Sequence, residues 1–324
     1  MCIGLRRLFP QPFFLSICKL IYVIIKSAHK EEISLKRLLL IDGMALLFRS
    51  FYATSVYNRF MYTSTGIPTN GVQGFVKHML TSIETFEPTH VVCCWDMGSK
   101  TFRTEMFDDY KANRPAPPEQ LIPQFDLVKE VVESFDIPNI GLEGYEADDC
   151  IGTIAKMYRD DAEIMILTGD QDILQLLDEK ISVALIKNGY GNYEVHSPDS
   201  FFEKKGLTPT QLIDLKAIMG DPSDNYPGVK GIGEKTATKL LLEHNTIEGI
   251  LENLSNLTKS QQKKFEESLE LLHLSRELAE IKCDVPVACT LDTAEITFSK
   301  DKIYTKFDEL EFTTLKTFVA KYCS

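Results

Sequence analysis

From residue 38 onward the chain is built of apolar runs that end in aspartate. Leu38-Leu39-Leu40-Ile41 ends in Asp42, and His90-Val91-Val92-Cys93-Cys94-Trp95 ends in Asp96. Ile164-Met165-Ile166-Leu167-Thr168-Gly169 is followed by Asp170 and Asp172. Continuous apolar runs of this length read as strands buried on both faces, as in a parallel sheet. Between them the spacing turns helical, at Met44 to Ala53, about Gly71 to Glu84, Ile151 to Tyr158 and, briefly, Gln171 to Leu177. Ile181 to Ile186 reads as a strand, and Asn188-Gly189-Tyr190-Gly191 supplies turn chemistry before Tyr193-Glu194-Val195. Beyond Ser197 the pattern is helical over 198–205, 209–219, 234–244 and 258–281, with no internal repeat. Strands alternating with helices, then a helical tail, predict an α/β fold with a mostly parallel central sheet and a C-terminal all-α region.

The aspartates change what this pattern means. Parallel strands that each end in an acid bring those acids to one sheet edge, where open α/β folds place their sites. Tyr145-Glu146-Ala147-Asp148-Asp149-Cys150 adds three carboxylates at the start of a helix, and Gly220-Asp221-Pro222-Ser223-Asp224-Asn225 adds two. Acids at a helix N-terminus also serve simply as caps. Nine clustered carboxylates, however, cannot all ionise without cations. All-oxygen donors suit Mg2+ or Mn2+ and leave room for phosphates, so the chemistry expected is metal-dependent phosphodiester hydrolysis.

Composition narrows this further. A net charge of −12 argues against a protein that coats nucleic acid, although the acidic cluster supplies much of the excess. The eight cysteines contain no C-x-x-C pair and the histidines lack metal spacing, which speaks against zinc and fits a reducing cytoplasm. Basic residues gather in two places. Lys100 and Arg103, then Tyr110, Lys111 and Arg114, follow Asp96. They read as two helical pieces joined by a Pro-rich bend, with cations for phosphates and a tyrosine for stacking on a single strand. Gly228-Val229-Lys230-Gly231-Ile232-Gly233, followed by Lys235 and Lys239, reads as a helix-hairpin-helix whose N–H groups and lysines face duplex backbone. Residues 1–35 are unlike the rest: an apolar run, Phe13 to Ile25, follows Arg6 and Arg7 and is interrupted by Lys19. A poorly ordered extension, an over-long start and a membrane or export segment are all open.

Taken together, these motifs resemble the 5'-nuclease (flap endonuclease) family over about residues 37–290. Within it they most resemble the 5'-3' exonuclease domain of bacterial DNA polymerase I and its stand-alone bacterial relatives. The motifs are Ile41-Asp42-Gly43, Trp95-Asp96, Glu146-Ala147-Asp148-Asp149, Thr168-Gly169-Asp170-Gln171-Asp172, the Asp221–Asp224 loop and the hairpin. The resemblance implies a PIN-like core at 36–197 with a helical arch at about 98–135, then a helix-hairpin-helix region at 198–290 and a C-terminal segment at 291–324. It implies two Mg2+, with Mn2+ able to substitute, and K+ at the hairpin. Asp42, Asp96, Glu146 and Asp148 match the first metal group, with Asp149 at the junction. Asp170, Asp172, Asp221 and Asp224 match the second. Lys111 and Arg114 match arch residues that engage the scissile phosphate. The expected substrates are branched or 5'-ended DNA and RNA-DNA duplexes, cut by a monomeric, free-standing, nucleoid-associated enzyme that leaves a 5'-phosphate. A non-catalytic junction-binding protein and a small-molecule phosphatase are the competing readings.

Overall fold

The computed structural model describes residues 35–322. The readings made for residues 1–34 lie outside it. Six strands form one sheet in the order β3-β2-β1-β4-β5-β6. They are β1 (Lys36–Asp42), β2 (His90–Cys94), β3 (Asn139–Ile140), β4 (Ala162–Thr168), β5 (Ile181–Ile186) and β6 (Tyr193–His196). β1 runs parallel to β2 with Asp42 opposite Cys94, and β4 runs parallel to β5 with Thr168 opposite Leu185. β2 runs parallel to β3, and the edge strand β6 runs antiparallel to β5.

Successive side chains on a strand point to opposite faces, so each apolar run feeds two cores. Leu38, Leu40, Val92, Cys94, Ile164 and Ile166 enter one core, and Leu39, Ile41, Val91, Cys93 and Leu167 the other. The second core is covered by α1 (Gly43–Thr54), α2 (Asn70–Phe86) and, after the short α3 (Phe102–Met106), by α4 (Gln124–Ser134). The first is covered by α5 (Ala147–Tyr158) and by the helices that follow the sheet. These are α6 (Pro198–Lys205), α7 (Gln211–Met219), α8 (Glu234–His244), α9 (Ile247–Glu252), α10 (Lys259–Glu267) and α11 (Leu269–Ala279). Each fully buried Leu, Ile or Phe contributes about 1.5–3 kcal/mol, so the sheet is held from both sides.

Three features depart from the sequence expectation. Gln124–Ser134 belongs to the core, with Val128, Val131 and Val132 fully buried, so the arch candidate shrinks to the segment before it. That segment carries one short helix, α3, and then turns and loop up to residue 123, not two helical pieces. The expected 258–281 helix is broken at Ser268. Past residue 290, α12 (Leu291–Ala294), α13 (Lys300–Glu309) and α14 (Thr313–Val319) return to the sheet, and Phe307, Leu315 and Val319 are buried in the second core. No helix among the described residues is long and apolar enough to cross a membrane.

Candidate active site

The carboxyl ends of β1, β2 and β4 open onto a cavity of about 730 Å3. Asp42, Asp96, Glu146, Asp148, Asp170 and Asp172 line it, together with Lys111, Arg114 and Lys216. Local bonding explains how each acid reaches it. Asp42 ends β1 and caps α1: its Oδ1 accepts from Ala45 N (2.9 Å) and its Oδ2 from Thr168 Oγ1 (2.7 Å). Gly43 follows because a Cβ there would lie 2.5 Å from the Trp95 ring. Asp96 accepts from Ala147 N at 2.7 Å and so fixes the start of α5, the helix that carries Asp148. Asp170 N donates to Thr168 Oγ1 (3.0 Å), and Asp172 N donates to Asp170 Oδ1 (2.9 Å).

This crowding acts on the acids. Desolvation pushes Asp42 up to about 6, reinforced by repulsion from Asp96 and Asp170. Asp172 also rises to about 6, through burial and then Asp170. Asp148 is raised well above the ordinary carboxylate range by burial and by Asp42 and Asp170, and Asp96 by burial and Glu146. Two lysines offset part of the charge. Lys111 Nζ lies 2.7 Å from Glu146 and 3.8 Å from Asp224, and Lys216 Nζ lies 2.7 Å from Asp172 and 2.5 Å from Asp221. Burial alone would raise Asp221, but Lys216 and Ser223 hold it below the ordinary value. Among the described residues no three carboxylates close around a single point, and the two ammonium groups stand between them. The donor set is all oxygen and mutually repulsive, which fits hard divalent cations.

The structure therefore gathers six of the nine predicted acids into one cavity. Asp221 and Asp224 do not line it. They are joined to it by ion pairs, Asp221 to Lys216 and Asp224 to Lys111 and to Arg114 (2.7 Å). Asp149 is a correction. Fully buried, it spends both oxygens on the Arg103 guanidinium (2.8 Å each) and accepts from Glu146 N and Lys282 N, so it has no oxygen left for a metal. Lys216, which sequence reasoning missed, sits five residues before Asp221, where it reads as an ordinary surface lysine on a helix.

The basic residues divide in the same way. Lys111 and Arg114 reach the cavity from a turn rather than a helical face, with Lys111 in the left-handed region (φ 55°). Lys100 is exposed, beside Glu105 at 3.6 Å, and precedes α3 instead of sharing a helical face with Arg103. Arg103 is buried and cannot meet DNA. Tyr110 is buried against Tyr226, and its hydroxyl donates to Glu146 and Asp224 (3.2 Å each), so it is not free to stack on a base. At the hairpin, Lys230, Gly231, Gly233, Lys235 and Lys239 are exposed. Val229 is not: its side chain is buried and its N–H donates to Ile218 O (2.7 Å). Gly228 crosses Gly220 so closely that a Cβ would lie 2.2 Å from Gly220 N. Gly231 O accepts from Lys264 Nζ at 2.9 Å, so a cation bound at this carbonyl would compete with that ammonium.

A parallel α/β sheet with acids along its carboxyl edge, cations facing them and a glycine hairpin alongside defines a carboxylate-site nuclease fold. The comparisons agree. A family profile described as "5'-3' exonuclease, N-terminal resolvase-like domain" matches residues 37–206, and "5'-3' exonuclease, C-terminal SAM fold" matches residues 207–302. A 5'-3' exonuclease of Bacillus subtilis is 60% identical over 266 residues, covering 82% of this chain and 90% of that protein. DNA polymerase I of Lactococcus lactis is 41% identical over 87% of this chain, which spans only 33% of the polymerase. The T5 D15 protein, crystallised with metal ions, shares the fold at a TM-score of 0.65 and 22% identity, over 85% of this chain and 98% of that one. The catalytic core of Rad2 bound to a DNA substrate has a TM-score of 0.55 at 16% identity, over 85% of this chain and 86% of that one. The chain belongs to the 5'-3' exonuclease family.

Proposed function

We propose that this 5'-3' exonuclease hydrolyses phosphodiesters at the junction between a 5' single strand and a duplex, in primer or flap removal. The observation that carries this is the single cavity in which Lys111 and Arg114 face six carboxylates. Asp42, Asp96, Glu146 and Asp148 would hold one divalent cation. Asp170 and Asp172 would hold another, with Asp221 and Asp224 within one ion pair of the cavity. Such ions, Mg2+ in our reading with Mn2+ able to replace it, supply charge neutralisation and water activation when bound. The chain's own residues do the rest. Lys111 and Arg114 exchange their carboxylate partners for phosphate oxygens and offset the charge that builds there. The exposed hairpin with Lys230, Lys235 and Lys239 grips the duplex backbone through phosphates, without reading sequence. Support for a nucleic-acid substrate rather than a small phosphoester comes from this hairpin, which a small substrate would not need. Acting on a substrate of this kind, the enzyme would work with the nucleoid, in the cytoplasm.

A 5'-labelled flap duplex incubated with the protein tests this. Cleavage near the junction is expected with Mg2+. It should be lost in EDTA and in Asp148→Asn, while Asp148→Asn still binds the flap. Chelator-resistant cleavage would refute the metal role. Tight binding by wild type with no cleavage under any metal would favour a non-catalytic junction binder.

A further inference from the structure

We propose that Arg103 is a positioning residue for the nuclease reaction, acting through Glu146, with Asp149 as its partner. All five N–H groups of its guanidinium are used. Nε donates to Leu278 O (3.0 Å), and Nη1 donates to Asp149 (2.8 Å) and to Glu146 Oε2 (3.3 Å). Nη2 donates to Asp149 (2.8 Å) and to Glu280 O (2.7 Å). Arg103 is 2% exposed and Asp149 0%, so the pair works away from water and from DNA. Three segments distant in sequence meet on it: α3 at the root of the loop that carries Lys111, the start of α5, and the end of α11.

The geometry distinguishes Arg103 from the other donors to Glu146. Lys111 Nζ (2.7 Å) and Tyr110 OH (3.2 Å) also hold that carboxylate, but both ride on the 107–123 loop. When Lys111 turns to a phosphate, Glu146 loses that partner, and Arg103 remains on a buried frame. Asp149 adds to the restraint by accepting from Glu146 N (3.0 Å). A lysine at 103 would bring a point charge with three donors, unable to serve two carboxylates and two carbonyls together. A buried ion pair gives little stability beyond apolar residues of equal volume. Its consequence here is the placement of Glu146. The inference rests on the reading of Glu146 as a metal-holding carboxylate.

The test compares wild type, Arg103→Lys, the double variant Arg103→Met/Asp149→Leu, and Asp148→Asn as a control for the metal site. Thermal melts report folding, electron paramagnetic resonance of added Mn2+ reports affinity without DNA, and flap cleavage with Mg2+ reports kcat and KM. The double variant is expected to melt below wild type, because two carbonyls and two N–H groups lose their partners, and while folded to bind Mn2+ about 10–100-fold more weakly. Its kcat should fall while KM for DNA stays within about twofold, because uniform substrate binding is untouched. Arg103→Lys should move the same way and decides the matter if the double variant does not fold. Wild-type Mn2+ affinity and kcat in a folded variant would overturn the inference, as would loss of folding in both. If wild type itself shows no Mn2+ binding that Asp148→Asn removes, the metal reading of Glu146 fails, and this inference with it.

Discussion

Asp42 shows how function and stability oppose one another within one side chain. It caps α1 and anchors Thr168, yet burial and neighbouring acids lift it from 3.8 to about 6. An acid that holds its proton more tightly folded than unfolded contributes fully below pH 3.8, and the contribution is lost as pH rises through about 6. In EDTA at pH 8, Asp42→Asn is therefore expected to be more stable than wild type by ~1–3 kcal/mol, while losing nuclease activity. The two should converge at pH 4. Denaturant melts at both values check this, and an asparagine variant less stable than wild type at pH 8 would contradict it. The six acids that line the cavity were legible because each follows an apolar run or opens a helix. Asp149 was not separable from Asp148, since two adjacent acids differ only in which way the helix turns them. Arg103 misled for the same reason: a basic residue in a basic stretch reads as DNA-facing until Leu278 and Glu280 close over it.

At the scale of elements, five of the six strands and the first two helices were legible because apolar periodicity and tertiary burial agree there, whereas the two-residue, half-buried β3 is too short to show a pattern. The segment after Asp96 was not. Its charges and prolines suit either helix or loop, and the outcome is set by partners more than 100 residues away, such as Lys111 N to Asp224 O (2.8 Å) and Asn113 to Pro222 O (2.9 Å). Gln124–Ser134 falls within the arch bounds that the family resemblance implied, whereas Leu127, Val128, Val131 and Val132 form one buried stripe. The hairpin before α8 carries a prediction of its own. Lys235 is exposed in the first turn of that helix, two residues after Gly233. Lys235→Ala should lower the slope of log affinity against log salt for duplex DNA by about 1, with kcat at saturating DNA unchanged. An unchanged slope would remove Lys235 from the duplex contact.

For the whole molecule, what the sequence concealed is how the last helices close the fold. Residues past 290 carry no motif, yet Ile303, Phe307, Phe312 and Leu315 are buried with α2 and α4 in the second core. Lys306 pairs with Glu130 (2.6 Å) and Lys321 with Glu84 (2.8 Å) across the same contact. Burial of this kind depends on which surface a distant helix finds, which local patterning does not encode. The sheet so clamped presents its acids as a fixed edge, and on that edge the proposed chemistry depends. Crystals soaked in Mn2+ and measured at the manganese absorption edge interrogate it directly. Two anomalous peaks about 3.5–4 Å apart are predicted inside the cavity, among Asp42, Asp96, Glu146, Asp148, Asp170 and Asp172. A cavity without peaks, with Lys111 still on Glu146 and Lys216 still on Asp172, would contradict the account.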